Sequence, residues 1–215
     1  MREAIIQSVL KNKLIAIVRG VYGEDCVNLA KALWEGGIKL LEVTFDQADE
    51  ALWEKTADTI RMLNKQLGDR MTFGAGTVTS EKLVALAKDA GAQFIVSPDC
   101  DPAVIRATVD AGMVSMPGAL TPTEVLQAHK AGADFVKLFP AGNLGPGYLK
   151  SVAAPINHVK LLAVGGVNEN NIKDFLNAGA VGAGIGGNLV NKTWIAEGRF
   201  QEITALAKAF TDAVN

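Results

Sequence analysis

The chain has 215 residues, 49% of them hydrophobic, with 21 basic against 23 acidic side chains and a net charge of −2. That is enough apolar material for one sizeable core and a single domain over 1–215, and the balanced charge without a Lys/Arg-rich run excludes nucleic acid and membrane surfaces as expected partners. Only Cys26 and Cys100 are present and the start, Arg2-Glu3, is charged, so we expect no disulfide framework, no export, a cytoplasmic protein and a small ligand.

In chain order, short apolar strands alternate with amphipathic helices. A helix over Glu3 to Lys11 leads into a strand at Leu14 to Arg19. Cys26, Leu29, Ala30 and Leu33 then recur at helical offsets up to Gly36-Gly37. A strand Leu40 to Thr44 follows, then a helix with Trp53, Ala57, Ile60, Leu63 and Leu67 on one face, then a strand Met71 to Thr77. Leu83, Leu86, Ala87 and Ala90 repeat the helical spacing before a strand Phe94 to Ser97, which Pro98 ends.

Ala90-Gly91, Ala111-Gly112 and Ala131-Gly132 close consecutive units, their glycines 21 and 20 residues apart, each where a helix turns through a left-handed residue into the next strand. Farther on come a helix Pro146 to Ala153, strands Lys160 to Val164 and Val181 to Ile185, and a closing helix marked by Ile203, Leu206, Ala207, Phe210 and Val214. The uncharged run Ala178 to Asn191 is rich in glycine and suits a tight loop rather than a spanning helix.

Eight strands, near 14–19, 40–44, 71–77, 94–97, 113–117, 135–139, 160–164 and 181–185, predict an α/β fold, a (β/α)8 TIM barrel with an extra N-terminal helix. The typical length of such barrels is ~250 residues, but units of roughly 20 residues fit this one. The competing open, doubly wound sheet needs Gly-x-Gly-x-x-Gly after its first strand, where Arg19-Gly20-Val21-Tyr22-Gly23 stands instead.

Barrels gather their chemistry at the carboxyl ends of the strands. There the sequence places Arg19, Glu42 with Thr44, Thr77, Ser97 and, within Phe135-Val136-Lys137-Leu138-Phe139-Pro140, a lysine. Burial favours a neutral amine at Lys137, which makes it nucleophilic near neutral pH; the plainer alternative is a lysine that snorkels to water or pairs with a carboxylate. An acid, an amine and a guanidinium in one mouth also read as a buried ion network, with Arg19 bridged to Glu42. Against that stands the loss of several kcal/mol of hydration for each ion. Val164-Gly165-Gly166-Val167 and Gly184-Ile185-Gly186-Gly187-Asn188 end the last two strands, where barrel loops often hold a phosphate through backbone N–H groups. Glycine pairs also serve plain turns.

From Ile15 through Val190 the chain resembles the 2-keto-3-deoxy-6-phosphogluconate and 2-keto-3-deoxy-6-phosphogalactonate aldolases. The matching motifs are Leu41-Glu42-Val43-Thr44, Gly74-Ala75-Gly76-Thr77-Val78, Phe94-Ile95-Val96-Ser97-Pro98, Pro117-Gly118, Lys137-Leu138-Phe139-Pro140, Val164-Gly165-Gly166-Val167 and Gly184-Ile185-Gly186-Gly187. The resemblance implies a class I aldolase with a Schiff base on Lys137, Glu42 as general acid and base, no metal or other cofactor, and a homotrimer. Arg19 and Thr77 are assigned to the substrate carboxylate, Gly165, Gly166, Gly186, Gly187 and Asn188 to the phosphate, and Pro98 is counted with the substrate-binding set. The products would be pyruvate and glyceraldehyde 3-phosphate.

Two departures stand out. Phe45-Asp46-Gln47 replaces the Leu-Arg-Thr of many gluconate-type members, which removes an arginine and puts Asp46 near an anionic substrate, and Asn188 stands where serine is common. Arg19 in Ile17-Val18-Arg19-Gly20 and the run Asn143-Leu144-Gly145-Pro146 are similar to the galactonate branch. Other readings are 4-hydroxy-2-oxoglutarate cleavage, a noncatalytic barrel sensing a phosphorylated metabolite, and a metal-dependent decarboxylase. The last calls for Asp-x-Lys-x-x-Asp, where this chain has Asp134-Phe135-Val136-Lys137.

Overall fold

Parallel strands need long crossovers, and in this chain helices supply them. The computed structural model describes residues 2–215. Its strands are β1 (Leu14–Val18), β2 (Leu40–Thr44), β3 (Thr72–Gly76), β4 (Phe94–Val96), β5 (Val114–Met116), β6 (Gly118–Ala119), β7 (Val136–Leu138), β8 (Leu161–Val164) and β9 (Ala180–Ile185). The sheet order is β5-β4-β3-β2-β1-β9-β8-β7-β6, with parallel pairing throughout.

The expected fifth strand is in two pieces, because Pro117 has no N–H to give to a ladder. Hydrogen bonds carry the pairing across this break: Phe135 N–H donates to the Ser115 carbonyl (3.2 Å), Lys137 N–H to that of Pro117 (2.9 Å) and Phe139 N–H to that of Ala119 (3.0 Å). The sheet thereby returns on itself as the expected barrel.

The described residues form ten α-helices around and across the end of it: α1 (Arg2–Asn12), α2 (Gly23–Glu35), α3 (Trp53–Leu67), α4 (Glu81–Asp89), α5 (Pro102–Asp110), α6 (Pro122–Lys130), α7 (Ala141–Ala153), α8 (Ile172–Asn177), α9 (Lys192–Ala196) and α10 (Phe200–Val214). Their apolar faces pack on the outward side chains of the strands, among them Ala16, Leu41, Phe73, Ile95 and Ala163. The opposite parity, Ile15, Leu40, Phe94, Val114, Phe135 and Leu162, fills the barrel. Burying each such large side chain is worth about 1.5–3 kcal/mol.

The expected N-terminal helix belongs to this inner cluster. Ile5 and Val9 of α1 join it and plug the amino ends of the strands. Arg2 clasps the helix in place, giving Asp134 two hydrogen bonds (2.8 and 3.1 Å), while the Asp134 carboxylate also accepts from Ser115 N–H (2.9 Å).

Gly91, Gly112 and Gly132 have φ of 84°, 76° and 107°, so each is the left-handed turn residue expected after its helix. The expected helix from Pro146 is the second piece of α7, whose span is broken at Gly145 (φ 75°, ψ 171°). α8 and α9 have six and five residues, too few to show a helical period in sequence.

Candidate active site

Strand parity brings the predicted polar groups together. Ile17, Arg19, Glu42, Thr77, Pro98, Lys137, Phe139, Gly165, Gly186 and Gly187 line one cavity of about 400 Å³ at the carboxyl end of the barrel. Gly166 and Asn188 do not line it. The Asn188 amide instead donates to the Val167 carbonyl (2.8 Å) and ties the loop after β9 to the loop after β8. Ser97 and Thr44 are buried outside it, and the Thr44 hydroxyl has no hydrogen-bond partner among the described residues.

Glu42 and Lys137 are 3% and 9% exposed, so both project into the barrel rather than toward water. Room for Glu42 comes from β3: Gly76 pairs in register beside Thr44, and a Cβ at Gly76 would collide with the Glu42 carboxylate. The Lys137 ammonium position lies 4.9 Å from the centre of the Phe139 ring. Arg19 donates to the Thr77 hydroxyl (3.3 Å), and its charge, rather than a direct ion pair, acts on Glu42.

Burial decides the protonation of both central groups. It pushes the Glu42 carboxyl up to about 7, against the opposing pull of Lys137 and Arg19. It also holds the Lys137 amine below its ordinary value; Glu42 opposes this, Arg19 reinforces it, and Asp99 opposes it more weakly. Desolvation wins, so the neutral amine is brought closer to working pH.

Thr77 has φ of 55°, a left-handed conformation that costs a β-branched residue roughly 1–3 kcal/mol. Gln47 fixes it there. The Gln47 amide donates to the Thr77 carbonyl (2.8 Å) and accepts from the Thr79 hydroxyl (2.8 Å). Asp46 does not line the cavity; its carboxylate accepts from Ala48 N–H (2.9 Å).

Gly165 and Gly166 both have positive φ (87° and 74°), and Gly142 N–H donates to the Gly165 carbonyl (2.7 Å). A Cβ on Gly166 would come within 3.0 Å of the Gly142 Cα. Fold and close packing thus require glycine at this pair. The cavity also includes Val164 and Gly184, which the sequence named only as the starts of the two glycine motifs, and Val190 and Lys192, which it did not single out. Lys192 directly follows the uncharged glycine-rich run, which is the one available signal. Among the described residues no group of three or more His, Cys, Asp or Glu side chains is arranged to hold a metal.

Comparison with known proteins decides the family. The family model described as "Aldolase: KDPG and KHG aldolase" matches residues 5–206. The chain belongs to this aldolase family. It is accordingly a carbon–carbon lyase. The aldolase is 34% identical over 205 residues to the 2-dehydro-3-deoxy-6-phosphogalactonate aldolase of Escherichia coli (strain K12), covering 95% of this chain and 97% of the relative. It is 33% identical to the 2-dehydro-3-deoxy-phosphogluconate aldolase of Treponema pallidum (strain Nichols), covering 95% and 94%. The solved KDPG aldolase of Legionella pneumophila, with pyruvate captured as a covalent carbinolamine, superposes with a TM-score of 0.84 at 26% identity, covering 95% of this chain and 97% of that one.

Proposed function

We propose that this aldolase cleaves a 2-keto-3-deoxy-6-phospho sugar acid, of the gluconate or galactonate type, to pyruvate and glyceraldehyde 3-phosphate through a Schiff base on Lys137. The observation that carries the proposal is a buried lysine of lowered pKa sharing the mouth of a parallel barrel with a buried glutamate poised near neutrality. The neutral amine adds to the C2 ketone; loss of water leaves an iminium that withdraws electrons. Ionised Glu42 takes the C4 hydroxyl proton, the C3–C4 pair flows into the iminium as an enamine, and the aldehyde leaves. Returning the proton to C3 and hydrolysing the imine releases pyruvate and the amine.

Arg19, steadied by Thr77, is suited to the substrate carboxylate through parallel guanidinium donors, and Pro98 lines the same cavity. Gly165, Gly186 and Gly187 face the other end, where a phosphate meets backbone N–H groups; Gly166 and Asn188 serve that end indirectly, by shaping its loops. Anchors at both ends hold the ketone over the amine. The same chemistry extends to 4-hydroxy-2-oxoglutarate, which the KHG half of the family description supports.

Borohydride reduction in the presence of pyruvate tests the proposal. Intact mass should show one reduced pyruvyl group, located on Lys137 and lost in Lys137→Ala. An unmodified wild-type chain would refute it. We take 1–215 as one catalytic domain, cytoplasmic, assembling as a homotrimer. Exposed Leu120 and Leu144, 38% and 43% accessible, support a self-association surface on the mouth side. Light scattering should give three times the 22.6 kDa chain, and a monomer would exclude this assembly. No helix among the described residues is long and apolar enough to cross a membrane.

A further inference from the structure

Lys192 is a cation of the mouth for which the reaction above has no task. It begins α9, is exposed, and lines the same cavity as Gly186 and Gly187. Its ammonium lies over Gly20, 3.2 Å from where a Cβ there would stand. Lys31, Lys82 and Lys208 each meet a carboxylate within 4.0 Å, whereas Lys192 has no such partner among the described residues.

Gly186 and Gly187 add an independent observation. Neither has positive φ, and a Cβ at either would meet nothing within 4 Å. Unlike Gly165 and Gly166, these glycines are not demanded by backbone conformation or by packing. Their bare backbones leave open space in a cavity that Lys192, without a carboxylate partner, also lines. Arg19, meanwhile, is turned toward Thr77 on the β3 side, away from β9 on the other flank of β1. The two rim cations thus divide the mouth between them.

We propose that Lys192 pairs with the terminal phosphate of the substrate and sets the preference of this aldolase for phosphorylated over nonphosphorylated 2-keto acids. The proposal rests on the aldolase reading above. A phosphate monoester carries roughly −1.5 to −2 charges at neutral pH. Backbone N–H groups supply only partial charges to it, and a flexible ammonium supplies a full one. The rival role lies in the adjoining crevice of about 550 Å³, where Lys192 meets Asp25 and Asp58 as fellow lining residues and would act as a surface counter-charge.

The test compares Lys192→Met and Lys192→Arg on 2-keto-3-deoxy-6-phosphogluconate and on 2-keto-3-deoxygluconate, with calorimetric binding of inorganic phosphate alongside. Losing one charge-assisted contact should lower kcat/KM for the phosphorylated acid about 10- to 100-fold, mainly through KM. The nonphosphorylated acid should change little, phosphate binding should weaken in parallel, and Lys192→Arg should restore most of both. An equal loss on both acids, or an unchanged preference and phosphate affinity, would overturn the proposal and favour the crevice role. Failure of the Schiff-base chemistry would be separate: it appears as absent pyruvate trapping in the wild type, while phosphate binding still decides the role of Lys192.

Discussion

Gly76 and Glu42 occupy what would be a single volume if position 76 carried a side chain. The acid therefore sits in the barrel only because the neighbouring strand leaves a gap for it. That gap lies within Gly74-Ala75-Gly76-Thr77, where Gly74 likewise makes room for the Phe94 ring.

Gly76→Ala is expected to displace the Glu42 carboxylate rather than to unfold the barrel. Overpacking of this kind costs about 1–3 kcal/mol, and moving a catalytic group by an ångström costs on the order of 10²-fold in rate. Turnover with normal borohydride trapping of pyruvate separates the two effects; wild-type turnover would mean that the carboxylate has somewhere else to go.

The pH dependence follows from a Glu42 pKa of about 7. Acting as a base, Glu42 should give a kcat/KM that rises with pH through about 7, a limb missing in Glu42→Gln. Stability should run the other way. Because the folded carboxyl holds its proton more tightly than the ordinary 4.5, its contribution is complete below 4.5 and is lost as pH rises through 7. Glu42→Gln should thus melt higher than wild type at pH 8, by up to about 3 kcal/mol, and similarly at pH 5. Equal melting temperatures at pH 8 would refute the buried-charge account.

The two glycine pairs should respond differently. Gly166→Ala forces a methyl group against Gly142 at positive φ and should cost about 2 kcal/mol or more in denaturant unfolding. Gly186→Ala should leave unfolding unchanged within about 0.5 kcal/mol, yet raise KM for the phosphorylated acid by crowding its terminal group. Equal destabilisation would remove the distinction.

Gln47→Ala removes the hydrogen bond to the carbonyl of Thr77, which sits at φ 55°, together with the one from Thr79 that anchors the Gln47 amide. Since Thr77 in turn receives Arg19, we expect KM to rise severalfold with kcat and pyruvate trapping maintained. A fall in kcat alone would show that Thr77 steadies the reaction rather than the carboxylate.

Much of this was legible before any coordinates. Ile15, Ile17 and Arg19 alternate along one strand and Leu40, Glu42 and Thr44 along another, so each set shares a face of its strand, because side-chain period is fixed by the pleat. The glycines at 91, 112 and 132 marked helix ends because few other residues tolerate their φ. The break at Pro117 was hidden, since the surrounding run reads as an ordinary strand. Lys192 escaped notice for a different reason: it stands past the end of its strand, and loop residues carry no period that aims them. The sequence suggested that Asn188 donates to phosphate and that Asp46 sits near the substrate; neither lines the cavity, and their hydrogen bonds to Val167 and Ala48 leave no pattern in the chain.

With Ile5 and Val9 stoppering one end, the chamber among the described residues opens at the carboxyl ends of the strands. Everything that enters must leave by the way it came. On the proposed chemistry the three-carbon keto acid stays tethered at the inner wall while the phosphorylated aldehyde lies nearer the threshold, so departure is sequential, aldehyde first and pyruvate last. Product inhibition should mirror that queue: pyruvate competes with substrate for the empty enzyme, whereas the aldehyde binds only once a pyruvyl group is in residence and inhibits noncompetitively.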